Sequence, residues 1–198
     1  MAQVGTFVAE TRTLEPAKCF RGMEAARVLR SLGQTFLSVI LRRNRNGVRM
    51  EIESTRFGRL TVDDERVINF PKGLLGFPNH TRFALIQTGE ENYFFWLQSV
   101  DEPNLAFVVT DPSIFFKDYE VPIREETQAD LELSNIDFAQ VFVICNKVDE
   151  WLTGNLLGPI VVNAQNRLAQ QVVLTEKKWT TRQLLLRLQA EVPLAKSA

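Results

Sequence analysis

The stretch "YFFWLQSVDEPNLAFVVTDP", residues 93 to 112, predicts the fold of this chain. Two largely apolar runs, Tyr93 to Gln98 and Leu105 to Val109, flank a polar stretch that contains aspartate, glutamate, proline and asparagine. Runs rich in aromatic and β-branched residues favour strands, and the polar residues between them favour a reversal of the chain. The stretch therefore indicates two antiparallel strands joined by a turn.

The acidic residues of this stretch raise an alternative. Asp101, Glu102 and Asp111 are close enough in sequence to suggest a carboxylate site, because paired carboxylates serve in acid–base catalysis and in metal binding. All three stand at strand ends, where solvent can satisfy them. We therefore interpret them as turn formers and expect neither a metal nor a catalytic carboxylate here.

The same alternation of short apolar runs and turn residues continues along most of the chain after Met50. This pattern is typical of an all-β sandwich, roll or barrel in which neighbouring strands are antiparallel. Strands are predicted near residues 51–62, 66–70, 83–87, 93–99, 105–109, 141–147, 159–163 and 168–175.

Two segments depart from this pattern. Residues 124–137 are polar and charged, which predicts a short helix or a surface loop that reverses the chain between two halves of the sheet. Residues 180–192 place Leu184, Leu185 and Leu188 on one helical face, which predicts a short C-terminal helix.

Composition limits the domain organisation and the chemistry. A chain of 198 residues with 45% hydrophobic residues can bury one substantial core but hardly two. Its two cysteines, Cys19 and Cys145, are far apart, and His80 is its single histidine, so neither a disulfide framework nor a zinc site is expected. A reducing cytoplasm is the compartment that fits this composition.

Charge is divided unevenly along the chain. Residues 1–49 carry 9 Lys and Arg against 3 Asp and Glu, a net charge of +6, whereas residues 50–198 carry 14 against 21, a net charge of -7. Nucleic-acid binding relies on clustered Lys and Arg, so no direct nucleic-acid binding by residues 50–198 is expected. A basic protein is the more natural partner of this acidic body.

The basic segment leaves two alternatives open. Apolar residues from Ala25 to Ile40 recur at helical spacing, so residues 1–49 can form an amphipathic helix that binds RNA or a membrane surface. Alternatively, Met50 is the natural start of the protein, and the segment is disordered or results from an upstream start site. Membrane insertion is not expected, because the apolar run is too short to span a bilayer.

Residues that could support catalysis are few. His80 lies in a predicted turn, and Cys145 lies in "VFVICNKV", residues 141–148, where a thiol packs as a small hydrophobe with a raised pKa. The glycines of "KGLLGF", residues 72–77, lack the end of a phosphate-binding loop. We therefore predict no enzyme activity and no cofactor.

Six motifs carry a resemblance to a known family. They are "RFGRLTV", "INFPKGLLGF", "FWLQSVDEPNLAFVVTDP", "DYEV", "TGNLLGPIVVN" and "NRLAQQVVL", within residues 50–178. In this order and spacing they resemble the FliW family of bacterial flagellar assembly factors. Pattern and resemblance together imply an all-β fold, a small half-open barrel or roll of mainly antiparallel strands with a short C-terminal helix. The resemblance also implies a cytoplasmic protein without catalytic residues.

The resemblance implies two protein partners. Members of the FliW family bind flagellin before export and bind the translational regulator CsrA, an RNA-binding protein that represses flagellin synthesis. Accumulated flagellin would occupy the factor and leave CsrA free to repress, and secretion of flagellin would release the factor to antagonise CsrA. The partner-binding residues are expected in two loops: Asp101, Glu102, Pro103, Asn104, Thr153, Asn155, Leu156 and Leu157.

The sequence departs from the family pattern at three points. Leu75 stands where proline is common, Gly158 stands where alanine is common, and Arg182-Gln183 replaces an Arg-His pair. The basic segment lies outside the pattern altogether. The expected organisation is a FliW-like β domain at residues 50–198, preceded by a basic N-terminal extension at residues 1–49.

Overall fold

The computed structural model describes residues 48–88 and 93–188, so the helix predicted within residues 1–49 lies outside the described residues. The described strands are β1 (Arg49–Ser54), β2 (Gly58–Asp63), β3 (Val67–Asn69), β4 (Arg82–Ile86), β5 (Phe94–Ser99), β6 (Ala106–Thr110), β7 (Ala139–Val148), β8 (Trp151–Gly154), β9 (Ile160–Asn163), β10 (Ala169–Gln171) and β11 (Gln183–Arg187). Between them lie helix α1 (Glu125–Asp130) and 3-10 turns at Asp64–Arg66, Pro112–Ile114 and Ile136–Phe138.

Antiparallel pairing joins nine strands into one sheet. Its order is β10-β9-β7-β6-β5-β4-β3, and β8 and β11 are attached to it through β7. The two ends of the sheet come together where the N–H of Asn69 donates to the carbonyl of Arg167 at 2.9 Å and Asn69 forms an isolated parallel bridge with Leu168. The sheet is therefore curved but not closed, and the predicted half-open, mainly antiparallel all-β fold is confirmed.

β7 is the strand on which two branches of the sheet meet. Its first four residues pair with β9 and its last four pair with β8, while β6 pairs with Val143–Cys145 on the opposite edge. β8 and β9 thus act as one interrupted partner strand: the N–H of Asn155 still donates to the carbonyl of Ile144 at 2.9 Å, and residues 156–159 leave the line of pairing. Pairing resumes after Pro159, which has no amide to donate to a strand ladder.

The main core lies inside the curve of the sheet. Alternate residues of β4 and β5 point into it, as the two-residue period of a strand requires. The rings of Phe70 and Phe83 meet edge to face at 5.3 Å, and those of Phe95 and Phe142 at 6.1 Å. All four side chains are buried, and each stabilises the fold by roughly 2–3 kcal/mol through removal of apolar surface from water.

A second core covers the other face of β7. Val143 points away from Phe142 and packs in a buried cluster with Leu156, Tyr119 and Trp179. The hydroxyl of Tyr119 donates to the carbonyl of Leu156 at 2.7 Å, and its ring lies 5.2 Å from that of Trp179. The connection that leaves β6 is therefore folded over the outside of the sheet.

The predicted C-terminal helix is wrong. Residues Gln183–Arg187 form β11, which pairs with β8, a strand that the sequence pattern did not predict. The leucine run satisfies helical spacing, but β8 presents an edge whose backbone groups need partners, and tertiary pairing overrides a local helix preference. Residues 189–192 of the predicted helix lie outside the described residues.

Two strand boundaries also differ from the prediction. The stretch 51–62 is not one strand, because a turn at residues 55–57 and Gly58, with φ of +70°, divide it into the β1–β2 hairpin. The predicted strand 168–175 is shortened to β10. The β1–β2 hairpin packs on the sheet through Ile52, Val62 and Ala84.

The side chain of Gln98 organises the turn between β5 and β6. Its Oε1 accepts a hydrogen bond from the hydroxyl of Ser54 in β1 at 2.8 Å. Its Nε2 lies 3.1 to 3.3 Å from four carbonyl oxygens of the turn, those of Ser99, Glu102, Pro103 and Leu105. The two N–H donors of this buried amide are shared among these carbonyls, and the amide ties the β1–β2 hairpin to the turn.

We predict that Gln98→Ala lowers the free energy of unfolding by about 2 kcal/mol, because it leaves the hydroxyl of Ser54 without its acceptor and removes the side-chain donors of the turn, whose carbonyls at Glu102, Pro103 and Leu105 then keep only their other donors. Chemical denaturation measures the change. Arg59→Ala is the control: it removes only exposed ion pairs with Glu51 and Glu53 and should cost less than about 0.5 kcal/mol. Equal losses for the two variants would contradict the role given to Gln98.

Tyr119 gives the fold a dependence on alkaline pH. Burial raises the pKa of its hydroxyl above the ordinary value of 10.0, which the unfolded chain retains. The native state therefore holds this proton more tightly, and its contribution to stability is present below about pH 10 and is lost as the pH rises further. Tyr119→Phe should be about 1 kcal/mol less stable at neutral pH, through the lost hydrogen bond. That difference should shrink in denaturation curves recorded above pH 10, and a constant difference would contradict the assignment.

Candidate partner-binding surfaces

The first expected binding loop is the turn between β5 and β6. Asp101 and Asn104 are exposed, and Glu102 and Pro103 are half-buried. Asp101 accepts a hydrogen bond from Arg82 at 2.5 Å, and the carboxylate of Glu102 accepts from the backbone and side-chain amides of Asn104. The acidic side chains therefore have structural partners within and beside the turn, and only its outer surface is available to a protein partner.

The second expected loop lies largely inside the protein. Thr153 is buried and its hydroxyl donates to the carbonyl of Asn146, and Leu156 is fully buried in the second core. The two side chains are thus not available to a partner, and the expected contacts in this loop reduce to the half-buried Asn155 and Leu157. The reason is the loop between β8 and β9, in which Leu156 packs into the second core and its carbonyl accepts from the hydroxyl of Tyr119.

The structure does not bring the two loops together. Residues that lie opposite each other on neighbouring strands fix the positions of the loops along the sheet. Gln98 pairs with Ala106, Val108 pairs with Cys145, and Cys145 also pairs with Gly154. The β5–β6 turn lies beyond Ala106, at the start of β6. Residues 155–157 continue from Gly154 toward the other end of β6, and they lie two strands away from it. At about 3.3 Å per residue and 4.8 Å per strand, the loops are separated by roughly 20 Å.

The connection between β6 and β7 is the most acidic surface of the described residues. Residues 118–137 contain seven acidic side chains and one basic side chain, Arg124. Asp118 and Asp130 are paired with Lys178 and Lys72, and these hydrogen bonds lower the pKa of Asp118 and raise the pKa of Lys72. The other five acids are exposed and have no ion-pair partner among the described residues: Glu120, Glu125, Glu126, Glu132 and Asp137.

Exposed apolar side chains adjoin these acids. Ile136 is 56% exposed and Phe138 is 36% exposed in the 3-10 turn that ends the connection. Interfaces commonly combine apolar anchors with a charged rim. We name the set Glu132, Ile136, Asp137 and Phe138 the acidic–apolar patch, and we treat it as a candidate surface for a basic partner. Sequence reasoning missed it, although the run of acidic residues was a visible signal.

The two residues considered for catalysis from the sequence, Cys145 and His80, differ in exposure. Cys145 is buried, and burial raises the pKa of its thiol far above the usual range, so it remains protonated. His80 is half-buried beside Phe77, with ring centroids 6.3 Å apart. Among residues 48–88 and 93–188, no group of three or more His, Cys, Asp or Glu is arranged to hold a metal ion.

The described part of the chain was also considered for a helix that could span a membrane. α1 has six residues, and no helix within the described part of the chain is long and apolar enough to cross a bilayer.

Comparison with known proteins agrees with this architecture. The FliW protein family matches residues 51–185. The flagellar assembly factor FliW of Magnetococcus marinus is 41% identical over 140 residues, covering 69% of this chain and 85% of that protein. The flagellar assembly factor FliW of Bacillus subtilis is 38% identical over 135 residues, covering 67% of this chain and 94% of that protein. A crystal structure of the flagellar assembly factor FliW has a TM-score of 0.63 and 31% identity, covering 69% of this chain and 97% of that one.

Because Cys145 is buried, we predict that its thiol does not react in the native protein. In a Cys19→Ser background, where Cys145 is the single cysteine, the native protein should not react with a thiol reagent at mildly alkaline pH. The denatured protein should react with one equivalent of the reagent per chain. Rapid modification of the native protein would show that the thiol is accessible and ionised, and would reopen a catalytic role.

Proposed function

The chain belongs to the FliW family of flagellar assembly factors, and from this premise we propose that it acts by binding proteins stoichiometrically rather than by catalysis. Its proposed partners are flagellin and the translational regulator CsrA, both met in the cytoplasm. The observation that carries the proposal is the family match over residues 51–185, which includes both cores of the sheet.

The charge of the body supports a basic partner. CsrA binds RNA, and an RNA-binding surface needs lysine and arginine to neutralise phosphates. The five exposed carboxylates of the β6–β7 connection that form no ion pair with a described residue offer the complementary charge. Such complementarity accelerates association and weakens as salt rises, because exposed charges are screened over about 10 Å at moderate ionic strength.

The acidic–apolar patch is the proposed contact for CsrA. Charge alone gives little affinity at an exposed surface, whereas burial of apolar side chains such as Ile136 and Phe138 supplies the larger favourable term. The asparagine cap fixes the backbone of the turn that carries these side chains, since Asn135 accepts from the backbone N–H of Asp137 at 3.0 Å. A partner therefore meets a surface that is already formed, which limits the entropic cost of binding.

The proposed regulation follows from competition for one factor. When flagellin is abundant it occupies the factor, and CsrA is left to repress flagellin synthesis. When flagellin is exported, the released factor binds CsrA and repression ends. Mass action makes the outcome depend on the two free concentrations relative to their dissociation constants.

Calorimetric titration of the full chain with CsrA from the same organism tests the first step. We expect saturable binding that weakens when the salt concentration is raised. Glu132→Lys combined with Asp137→Lys should weaken binding about tenfold or more, because it places two like charges against a basic surface. The matched control is Glu51→Lys with Glu53→Lys, which reverses two exposed carboxylates on β1.

Either result of the titration with CsrA decides a part of the proposal. Absence of binding to CsrA by a folded chain would remove translational control from the proposal, while flagellin binding could still stand. Equal loss in both double variants would remove the acidic–apolar patch as the contact. A second titration, after saturation with the C-terminal segment of flagellin, should show no binding of CsrA if the two partners compete.

A second candidate function rests on the net charge of +6 in residues 1–49. Such a segment can bind RNA or an anionic membrane surface. Binding of the full chain to RNA or to anionic vesicles, compared with a chain that begins at Met50, tests this function. No difference between the two chains would exclude it.

A further inference from the structure

The pairing of β10 with β9 continues beyond the last residue of β10. The N–H of Val172 donates to the carbonyl of Pro159, and the N–H of Leu174 donates to the carbonyl of Leu157, each at 2.9 Å. These two bonds keep the antiparallel register of the β10–β9 ladder. Residues 172–175 therefore extend the edge strand of the sheet.

The outer side of this extension has no neighbouring strand within the described part of the chain. The other end of the sheet meets the edge earlier, at Leu168, where Asn69 forms an isolated parallel bridge. Successive residues of an extended strand direct their backbone groups to opposite edges, so those of Val173 and Thr175 point away from β9. No hydrogen bond joins the backbone of these two residues to another described residue. An unpaired edge of this kind is a template for an added strand.

A groove runs along the unpaired edge. It has a volume of about 330 Å³ and lies between residues 170–176 and residues 122–127. The second wall is the chain that leads into α1 and the first turn of that helix. Val173, which is 62% exposed, lines the groove. The outward backbone groups are therefore accessible to another protein.

One face of the edge strand offers apolar contacts. Side chains alternate between the two faces of a strand, so Val173 shares a face with Gln171 and with Ala169 of the main core. Oε1 of Gln171 accepts from the N–H of Leu75 at 3.0 Å, which holds the backbone of Leu75 beside the edge. The side chain of Leu75 is 58% exposed. Apolar side chains of an added strand would cover Val173 and Leu75.

The opposite face offers acidic groups and hydrogen-bond acceptors. Leu174 packs in the second core from this face, and Gln170 and Glu176 share its alternation. Oε1 of Gln170 is buried and has no hydrogen-bond partner among the described residues. Glu126 and Glu176 line the groove, and Arg124 is the one basic side chain in its lining. Lysine or arginine side chains would supply donors to Gln170 and opposite charge to the two carboxylates.

We propose that this edge is a strand-addition site for an extended segment of another protein in which basic and apolar residues alternate. The backbone of that segment pairs with the outward groups of Val173 and Thr175. Its basic side chains meet the carboxylates of one face, and its apolar side chains meet Val173 and Leu75 on the other. The site shares no residue with the acidic–apolar patch, and the proposal does not depend on the identity of the partners proposed above.

Each contribution restricts the ligand in a different way. Backbone hydrogen bonds require an extended segment, because a helix satisfies its own backbone groups. Burial of apolar side chains supplies affinity, and charge complementarity favours basic segments over acidic ones. A segment that has the right net charge but lacks the alternation therefore satisfies only one of the two faces.

Calorimetric titration of the full chain with synthetic peptides tests the proposal. The probe is a short peptide of alternating lysine and valine, and the matched control has the same composition with its lysines and valines in two separate blocks. The alternating peptide should bind about tenfold more tightly, because only it presents one kind of side chain to each face. Equal binding would show that net charge alone attracts the peptides, and would overturn the proposal.

Methylation of the peptide amides tests the backbone pairing on the unmodified protein. Every second amide of an added strand points toward its neighbour. Methylation of one alternate set of amides should therefore abolish binding, and methylation of the other set should preserve it. Equal effects of the two methylated peptides would overturn strand addition.

Variants of the full chain test the location of the site. Val173→Pro removes the outward N–H and should weaken binding of the alternating peptide about tenfold, whereas Val173→Thr keeps that donor and should change binding little. Proline is tolerated here because the amide faces away from β9. Glu126→Lys with Glu176→Lys should also weaken binding, whereas the control Glu51→Lys with Glu53→Lys should not. Unchanged binding in both edge variants, with unchanged circular dichroism, would place the peptide elsewhere and overturn the proposal.

A second copy of the chain is the other occupant to be tested. A dimer mass by light scattering in the absence of peptide, lost in Val173→Pro, would assign the edge to self-association and overturn the proposal. A monomeric chain that binds the alternating peptide, with slower exchange of the amides of Val173 and Thr175 in the complex, supports it.

Discussion

The buried amide of Gln98 is the interaction on which the centre of the fold depends. The sharp turn between two buried strands directs four carbonyls toward this one side chain, and three of them also accept a backbone N–H. Glutamine provides donors to the turn and an acceptor for Ser54 from one side chain, so it satisfies the β5–β6 turn and attaches the β1–β2 hairpin. A glutamate at this position would offer no donor and would carry a charge into a fully buried site.

The connection from β6 to β7 links stability to binding. Its first part supplies Tyr119, which closes the second core over Val143, and its later part presents acidic side chains and the exposed Ile136 to solvent. One segment therefore covers the outer face of the sheet and forms the proposed contact with a basic protein. Leu131 is buried, and the side-chain amide of Asn163 donates to the carbonyls of Leu131 and Glu132, so the backbone that leads to the acidic–apolar patch is held in place before any partner arrives.

Most of the sheet could be predicted from local pattern, because each strand carries its own apolar run and turn residues. β8 and β11 could not, since Trp151–Gly154 is short and the leucines of residues 183–187 satisfy helical spacing as well as they do strand pairing. The exposure of the expected binding loop at residues 153–157 was predicted only in part. Its polarity suggested exposure, but the loop between β8 and β9 buries Leu156 in the second core and leaves Asn155 half-buried.

The sequence by itself determined the all-β class, the position of the central β5–β6 turn, the acidic character of the body and the inert setting of Cys145. These follow from neighbouring residues, because strand periodicity, turn chemistry and net charge are local properties. Only the tertiary structure decided which edges remain unpaired, which loop residues are buried and that the acidic connection lies over the second core. Such features depend on contacts between residues far apart in the chain, and no local pattern specifies which partner a strand edge or an apolar face will find.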